Sequence, residues 1–261
     1  ASGANDGMIH PGIDLKPDSL KAKYCLLGNK LYDQLSEELD FDFIRCGQYI
    51  IYSSKRDRIF SYYLNYKARI LGIDGVKRIS KKEIIHREPE TASWAKGAIL
   101  LKNAGIISPY QAVIAFSENA IMNGARISLE TMCLGFEMKD QQIMGVKTNR
   151  GLIRPKFVIN AAGVYADNIA SFADDKYFSI HPRKGTDLIL DSKVKNLVRT
   201  IVSKFPKVSQ RHSRTKGGAI ISTVDGNLLI GPDAIEVWDK DDLGTPKTSI
   251  QNLLSKHKQV I

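Results

Sequence analysis

Apolar positions along the chain alternate between the period of a helix and that of a strand. Leucines over residues 20–39 recur at helical spacing, which predicts an amphipathic helix that packs its stripe on a core, with Asp18 or Ser19 as cap. The same spacing over 59–70 predicts a second helix. Between the two, residues 43–53 alternate and then become continuously apolar, so a strand is predicted there.

Capping and turn residues divide the rest of the chain into shorter elements. Ser80 with Glu83 forms a capping-box pattern, and Ser108 before Pro109 marks the start of a helix that runs to Asn123. The remaining predicted elements are strands over 76–79, 97–101, 126–132, 134–139, 143–148 and 152–153, a hairpin over 219–232, and a terminal helix over 249–256.

One stretch, FVINAAGVYADNIA, combines three patterns. Residues 157–159 form a short apolar run, typical of a strand buried on both faces. Residues 160–163 are small, and 164–172 have helical spacing. A strand that passes through a small-residue turn into a helix is the usual nucleotide-binding layout, because the first N–H groups of a helix favour an anion. An ordinary strand-to-helix connection explains the pattern equally well.

Composition and charge are those of a globular protein. The 261 residues suffice for one large or two modest domains, and no apolar run reaches the length of a membrane span. The net charge of +10 suits an anionic substrate or nucleic acid, but it also suits a solvated lysine-rich surface. The lysines are spread along the chain and aromatic-interleaved basic patches are lacking, so we favour the surface interpretation and expect no nucleic-acid partner.

The three cysteines argue for a reducing compartment. Cys25, Cys46 and Cys133 are odd in number and far apart in sequence, which speaks against a disulfide framework and against a CxxC metal site. Each is expected to be a small, buried apolar residue. The sequence therefore predicts no metal centre and a cytoplasmic location.

Two segments carry a family resemblance. VINAAGVYADNIA and SGANDGMIHPGID resemble signatures of the FAD-dependent oxidoreductases of the D-amino-acid oxidase superfamily, in particular the glycerol-3-phosphate dehydrogenase and 2-hydroxyglutarate oxidase branch. The resemblance implies that His10 lies near the flavin and the substrate, as the catalytic residue. Asp6 stands where the family often has serine. The resemblance implies these cofactor contacts: Ser2, Gly3, Asn5, Gly7, the backbone at Cys133, Asn160, Ala161, Ala162 and Gly163.

Two further segments resemble the substrate part of that family. SIHPRKGTDLILD is similar to PxRGxYLxLD, with Lys184 in place of the usual arginine and Asp187 in place of an aromatic or other residue. Lys184 would then contact the substrate anion, although a solvated lysine is equally consistent. AIISTVDGNLLIGP is similar to the TxDGNxLxGP hairpin. There Asp225 would orient His10 or a substrate hydroxyl, but Asp-Gly is also a good turn, which we favour.

The resemblance also implies a fold class, α/β with an α+β substrate domain. A partial Rossmann-like FAD-binding domain would combine with a mixed, largely antiparallel sheet domain. Residues 1–40 and 99–175 are assigned to FAD binding, 41–98 and 176–235 to substrate binding, and 236–261 to a C-terminal tail and helix.

The implied activity is that of an FAD-dependent dehydrogenase acting on a small anionic alcohol. The foremost substrate is sn-glycerol 3-phosphate, oxidised to dihydroxyacetone phosphate by hydride transfer to the flavin. A 2-hydroxy acid or amino acid oxidase stays open as an alternative, and so does a non-catalytic α/β module that binds a protein or nucleotide. The electron acceptor is unassigned, and peripheral membrane contact of a full-length protein stays open.

The sequence contains no GxGxxG motif, which enzymes of this kind use to hold the pyrophosphate. We therefore expect the chain to be the central part of a longer enzyme, inactive by itself. For the same reason we expect that the isolated chain does not hold FAD stably.

Overall fold

The computed structural model of the protein describes residues 2–205 and 218–260. Short helices and strands alternate along these residues. The α-helices are α1 (Leu20–Leu39), α2 (Lys55–Ile70), α3 (Lys81–Arg87), α4 (Pro109–Met122), α5 (Ala166–Ser171) and α6 (Lys247–His257). The strands are β1 (Met8–Ile9), β2 (Phe43–Ile44), β3 (Gln48–Tyr52), β4 (Val76–Ser80), β5 (Gly97–Leu101), β6 (Gly105–Ile107), β7 (Cys133–Lys139), β8 (Gln142–Thr148), β9 (Gly151–Ile153), β10 (Arg183–Lys184), β11 (Leu188–Leu190), β12 (Ile201–Lys204), β13 (Ala219–Ser222), β14 (Leu228–Gly231) and β15 (Ile235–Glu236).

The chain divides into two compact units. The first unit comprises Ala1–Ala120, Gly185–Ala234 and Thr245–Ile261, and the second comprises Ile121–Lys184 and Ile235–Gly244. These boundaries differ from those predicted from the sequence, which separated residues 41–98 from 1–40. The assignment of segments to cofactor and substrate stays a prediction.

A seven-stranded sheet organises the first unit, in the order β11-β14-β13-β12-β3-β5-β4. Its pairs are antiparallel except β12 with β3. Successive residues of β5 face opposite sides: Ala98 and Leu100 join one apolar cluster, whereas Ile99 and Leu101 join another. Ile84 of α3 packs in the first cluster and Ala68 of α2 in the second. The sheet is thus covered on both faces, which explains its nearly continuous apolar strands.

A smaller sheet holds the N-terminal loop in the same unit. Its order is β1-β6-β2, and both pairs are antiparallel. Phe41 packs with Ala112 and Ala115 of α4, and Tyr32 of α1 packs against this group. The loop at residues 2–14 is therefore anchored by a strand pair and lies on the helical layer.

A three-stranded meander, β7-β8-β9, dominates the second unit. Its first turn is Asp140-Gln141, and both residues have positive φ (49° and 63°), as a type I′ hairpin requires. The meander is followed by a 3₁₀ turn at Gly163–Tyr165 and by α5, and β10 pairs with β15.

Two strands predicted from the sequence do not form. Residues 126–132 and 157–159 are irregular. Phe157 and Ile159 are 88% and 89% exposed, so the prediction of a strand buried on both faces is wrong. A strand requires the backbone of a neighbour, and no described strand pairs with this segment. The helix predicted over 164–172 is also shortened to α5 and its preceding 3₁₀ turn.

Two other predictions need correction. The strand predicted over 43–53 is broken into β2 and β3, because the chain turns at Gly47 with φ +79°. The leucine stripe of α1 does not pack uniformly on a core: its N-terminal half, including Leu20 and Leu27, is exposed. The helix instead buries Ala22 and Asn29, because this face meets the N-terminal loop.

No helix in the described part of the chain is long and apolar enough to cross a membrane.

Helix α6 brings a histidine into the core of the first unit. The His257 side chain is buried, and neither ring nitrogen has a hydrogen-bond partner among the described residues. Burial, and secondarily the charge of Lys256, lowers the His257 pKa to about 4. The folded protein therefore takes up this proton at lower pH than the unfolded chain, whose histidine titrates near 6.5.

We expect the contribution of His257 to the free energy of unfolding to fall as the pH decreases from about 6.5 to about 4. His257 is neutral in both states above this window, so it contributes no pH dependence there. The contribution of this one proton is at most about 1.4 kcal/mol per pH unit. Urea unfolding at several pH values gives the free energy of unfolding as a function of pH. The slope of this dependence between about pH 4 and about pH 6.5 should change in His257→Leu. It should be retained in His86→Asn, a change at an exposed position of α3. An equal slope in wild type and His257→Leu would contradict the prediction.

Candidate cofactor and substrate site

The polar side chains of the N-terminal loop shape its backbone. Asn5 Oδ1 accepts a hydrogen bond from Gly7 N at 2.9 Å, and Asn5 Nδ2 donates to Ser2 O at 2.7 Å. Asp6 Oδ1 accepts from Met8 N at 3.1 Å. These short-range bonds form Asx-type turns, which fix the loop without any regular structure. Asp6 stands where the family often has serine, and its carboxylate stabilises the backbone of the loop.

Gly7 is required by packing as well as by conformation. Its φ is +65°, and a Cβ atom at this position would lie 2.5 Å from Ile107 O. Ile107 N also donates to Gly7 O at 2.9 Å. Beside this contact lies an open depression of about 330 Å³, lined by residues of the loop, of α1 and of α4. Ser2, Asn5 and Gly7, three of the predicted cofactor contacts, lie on its rim.

Buried amides hold the backbone at His10. Asn29 Nδ2 donates to His10 O at 2.9 Å and to Asn103 O at 2.7 Å. Asn103 Nδ2 donates to Pro11 O at 3.0 Å. The imidazole of His10 is exposed while its main chain is fixed, which is a suitable arrangement for a side chain that meets a substrate.

Arg45 completes this group, which we call the Asn29–Arg45–Asn103 clamp. Its Nη1 donates to Asn29 Oδ1 at 3.0 Å and to Asn103 O at 2.7 Å, and its Nη2 donates to Asn29 O at 2.9 Å. Asp33 pairs with the same guanidinium, which stacks on the Phe43 ring at 4.7 Å. Sequence reasoning missed the clamp, since its members are 16 to 74 residues apart and no local pattern links them.

A second titratable group, Asp187, is close enough to Asp6 of this loop to be affected by its charge. Asp187 Oδ1 is buried and has no hydrogen-bond partner among the described residues. Burial, together with the charges of Asp6 and Asp233, raises the Asp187 pKa to about 6. Asp233 is itself engaged, because its Oδ1 accepts from Thr186 N at 2.7 Å. Asp187 can thus exchange a proton close to neutral pH, a property that the sequence showed only as a departure from the family pattern.

The small-residue turn at 160–163 belongs to the second unit. Asn160 Nδ2 donates to Ala166 O at 2.8 Å, and Asn160 Oδ1 accepts from Ala162 N at 3.3 Å. Gly163 has φ +57°, and a Cβ atom there would meet nothing within 4 Å. The backbone is thus open to close approach from one side.

Polar contacts tie residues 239–242 to the segment after this turn. Lys240 pairs with the buried Asp167, whose Oδ2 also accepts from Ile180 N at 3.0 Å. These bonds lower the Asp167 pKa to about 2. Tyr165 donates to Asp241 in the same segment.

The remaining predicted site residues lie in varied surroundings. Lys184 donates to Asp242 at 2.7 Å, so its ammonium already has an anionic partner within the chain. Asp225 is exposed in the β13–β14 turn, where Thr223 and Asn227 supply the backbone bonds. Cys133 begins β7 and is partly buried. Their roles toward cofactor or substrate stay predictions.

Neither a disulfide nor a metal-binding group occurs within residues 2–205 and 218–260. The predicted site residues are shared between the two units: Ser2 to His10 and Asp225 lie in the first, whereas Cys133, residues 160–163 and Lys184 lie in the second.

The whole chain, residues 1–261, matches the family described as FAD dependent oxidoreductase. The protein belongs to this family. The resemblance drawn from two loop motifs is thereby confirmed, and so is a mixed α/β fold with several sheets.

Curated relatives of this FAD dependent oxidoreductase have more than one substrate in their names. It is 35% identical over 243 residues to the glycerol 3-phosphate dehydrogenase of Caloramator mitchellensis, covering 93% of this chain and 49% of the relative. It is 24% identical to the glycerol 3-phosphate oxidase of Mycoplasma genitalium (92% and 63% covered) and 26% identical to human mitochondrial L-2-hydroxyglutarate dehydrogenase (92% and 53%). The chain spans about half the length of the first of these relatives.

Solved structures agree with the fold. The L-alpha-glycerophosphate oxidase of Mycoplasma pneumoniae, solved in dithionite-reduced form with FAD bound, superposes with a TM-score of 0.85 at 25% identity, covering 100% of this chain and 68% of that one. Glycine oxidase from Geobacillus kaustophilus superposes with a TM-score of 0.83 at 21% identity, with the same coverage. At 21% identity, the similarity to glycine oxidase shows the fold alone.

The predicted contact residues of this oxidoreductase are compatible with FAD. The turn at 160–163 is exposed, carries small side chains and has open space beside Gly163. The loop at 2–7 offers an exposed serine hydroxyl and a fixed backbone beside a depression. Small residues and fixed backbone groups are what a dinucleotide needs for close approach.

Proposed function

We propose that this chain is part of an FAD-dependent enzyme that oxidises sn-glycerol 3-phosphate to dihydroxyacetone phosphate. The observation that carries the proposal is 35% identity to a glycerol 3-phosphate dehydrogenase over 93% of the chain. A glycerol 3-phosphate oxidase is also among the relatives, and the structure of another one superposes closely. The 26% identity to L-2-hydroxyglutarate dehydrogenase supports a 2-hydroxy acid as the second candidate substrate.

His10 is the residue we assign to the proton of the substrate hydroxyl. Its exposed imidazole lies on a loop whose backbone is fixed by Asn29 and Asn103. An imidazole titrates near neutral pH and can therefore accept this proton as the hydride leaves the carbon. FAD supplies the hydride acceptor when bound. The clamp restricts where the imidazole can go, so less ordering is needed at the moment of reaction.

The residues that would hold the cofactor are Ser2, Gly3, Asn5, Gly7 and the turn at 160–163. Their common property is a backbone that a ligand can approach, because the side chains are small or engaged in local turns. Lys184 and Asp225 are the proposed substrate contacts. For Lys184 this requires that the substrate anion compete with Asp242 for the ammonium.

The test is flavin reduction in the gene product that contains this chain. The purified protein is expected to be yellow and to bleach anaerobically on addition of glycerol 3-phosphate. L-2-Hydroxyglutarate and glycine serve as competing substrates in parallel samples. Bleaching by one of these instead would retain the flavin and replace the substrate. A colourless protein that neither takes up added FAD nor responds to substrate would support the non-catalytic module.

The 261-residue chain should be titrated with FAD in the same experiment. We expect no stable complex, because the sequence holds no GxGxxG loop. Retention of one FAD per chain through gel filtration would contradict this expectation.

A further inference from the structure

Helix α2 has two apolar faces. One face, with Phe60, Leu64 and Ala68, packs in the core of the first unit. A second set of apolar side chains at steps of three and four residues faces solvent, and we call it the α2 stripe. The stripe and its exposed fractions are Ile59 (71%), Tyr62 (54%), Tyr63 (52%), Tyr66 (62%) and Ile70 (56%). A helix needs only one apolar face to fold onto a core, so the stripe is available for another surface.

The stretch of sequence that contains the stripe is strongly basic. Residues 55–82 contain nine lysine or arginine side chains against two aspartates, which gives +7 of the chain's net charge of +10. The Arg78 guanidinium lies 3.8 Å from the centre of the Tyr62 ring, so cationic and aromatic groups are in direct contact. The prediction that the chain lacks aromatic-interleaved basic patches is wrong for this helix.

An equally exposed apolar set on α1 shows that the combination is specific to α2. Leu20 and Tyr24 are 72% and 63% exposed. Helix α1, however, has three basic and three acidic side chains, so its net charge is zero. The two helices expose similar apolar groups and differ in charge.

We propose that the α2 stripe docks on an anionic lipid surface. Tyrosines and isoleucines would enter the region between headgroups and acyl chains, while the flanking lysines and arginines contact anionic headgroups. The aliphatic Ile59 and Ile70 at the two ends of the stripe favour lipid over nucleic acid, because bases stack on aromatic rings and gain little from isoleucine. This surface is separate from the proposed site, because none of its residues is among the proposed catalytic, cofactor or substrate contacts.

The test is sedimentation of the protein with vesicles. We expect binding to vesicles of phosphatidylcholine with about 30% phosphatidylserine, weaker binding at high salt, and little binding to phosphatidylcholine alone. The double variant Ile59→Ser/Tyr66→Ser should reduce the affinity at least about tenfold. Leu20→Ser/Tyr24→Ser on α1 is the matched control and should retain wild-type affinity. Circular dichroism establishes that both variants are folded.

Several results would overturn the proposal. One is equal binding to neutral and anionic vesicles, and another is an equal loss in both double variants. Tighter binding to a single-stranded oligonucleotide than to vesicles would assign the surface to nucleic acid. A dimer in light scattering that Ile59→Ser/Tyr66→Ser dissociates would assign it to a second copy of the chain. Because vesicle binding is measured without substrate, its failure leaves the proposed oxidation untouched, and the reverse also holds.

Discussion

Replacing His10 by alanine is expected to lower kcat for glycerol 3-phosphate oxidation by about 10²- to 10⁴-fold in the FAD-loaded enzyme. The reason is that His10 is the only side chain of the N-terminal loop with an ordinary pKa near neutrality. KM should change less than kcat, because the proton moves only in the transition state. Stopped-flow measurement of flavin reduction over pH 5–9 checks both parameters, and the acidic limb of the profile should be lost in the variant.

The matched control for this prediction is His86→Ala, which removes an exposed histidine from α3. It should leave the rate of flavin reduction unchanged. Asp187→Asn tests the other candidate for the base, since the Asp187 pKa is raised to about 6. If His10→Ala lowers kcat by less than tenfold while Asp187→Asn lowers it by more, the role of base belongs to Asp187 and our assignment is wrong.

The substitution Asn29→Leu should lower the free energy of unfolding by about 3 kcal/mol. Leucine has nearly the shape of asparagine but makes no hydrogen bonds. The carbonyls of His10 and Asn103 lose their amide donor, and Arg45 Nη1 loses one acceptor. Since the side chain is buried, water replaces these partners poorly. The midpoint of urea unfolding measures the effect.

Asn252→Leu is the control for the clamp. Asn252 is exposed on α6, so the same change of side chain should alter the free energy of unfolding by no more than about 0.5 kcal/mol. In the FAD-loaded enzyme, Asn29→Asp keeps an oxygen for Arg45 but loses the amide donor. It should reduce kcat even where the protein remains folded, because His10 is less well held. If Asn29→Leu were as stable and as active as the wild type, the clamp would be dispensable.

Much of the local structure could be predicted because its causes lie within a few residues. Ser19 accepts from Ala22 N and begins α1 as predicted, and Ser80 does the same for Glu83 N at α3. The hairpin around Asp140-Gln141 follows from two strand-like segments joined by a two-residue turn, in which Asp140 tolerates positive φ. Such signals act at a separation of three or four residues, so they are present in the sequence whatever the rest of the chain does.

The failures share a different cause. The alternating segment at 126–132 and the apolar run at 157–159 have strand propensity but lack a paired neighbour among the described strands. Such a neighbour is a property of the sheet rather than of the segment. The exposed leucines of α1 show the same limit for helices. Periodicity located an apolar face, but only the packing showed that Ala22 and Asn29 are the residues buried.

The sequence by itself determined the family, through two loop motifs, and it determined most helices and hairpins through capping and turn residues. Only the tertiary structure showed that Asn29, Arg45 and Asn103 fix the backbone of His10, and that the Oδ1 atom of Asp187 is buried and unpartnered among the described residues. Only the structure revealed the exposed stripe on α2. The physical reason is that caps and turns depend on neighbouring residues, whereas burial and long-range hydrogen bonds depend on groups that come together only when the chain folds.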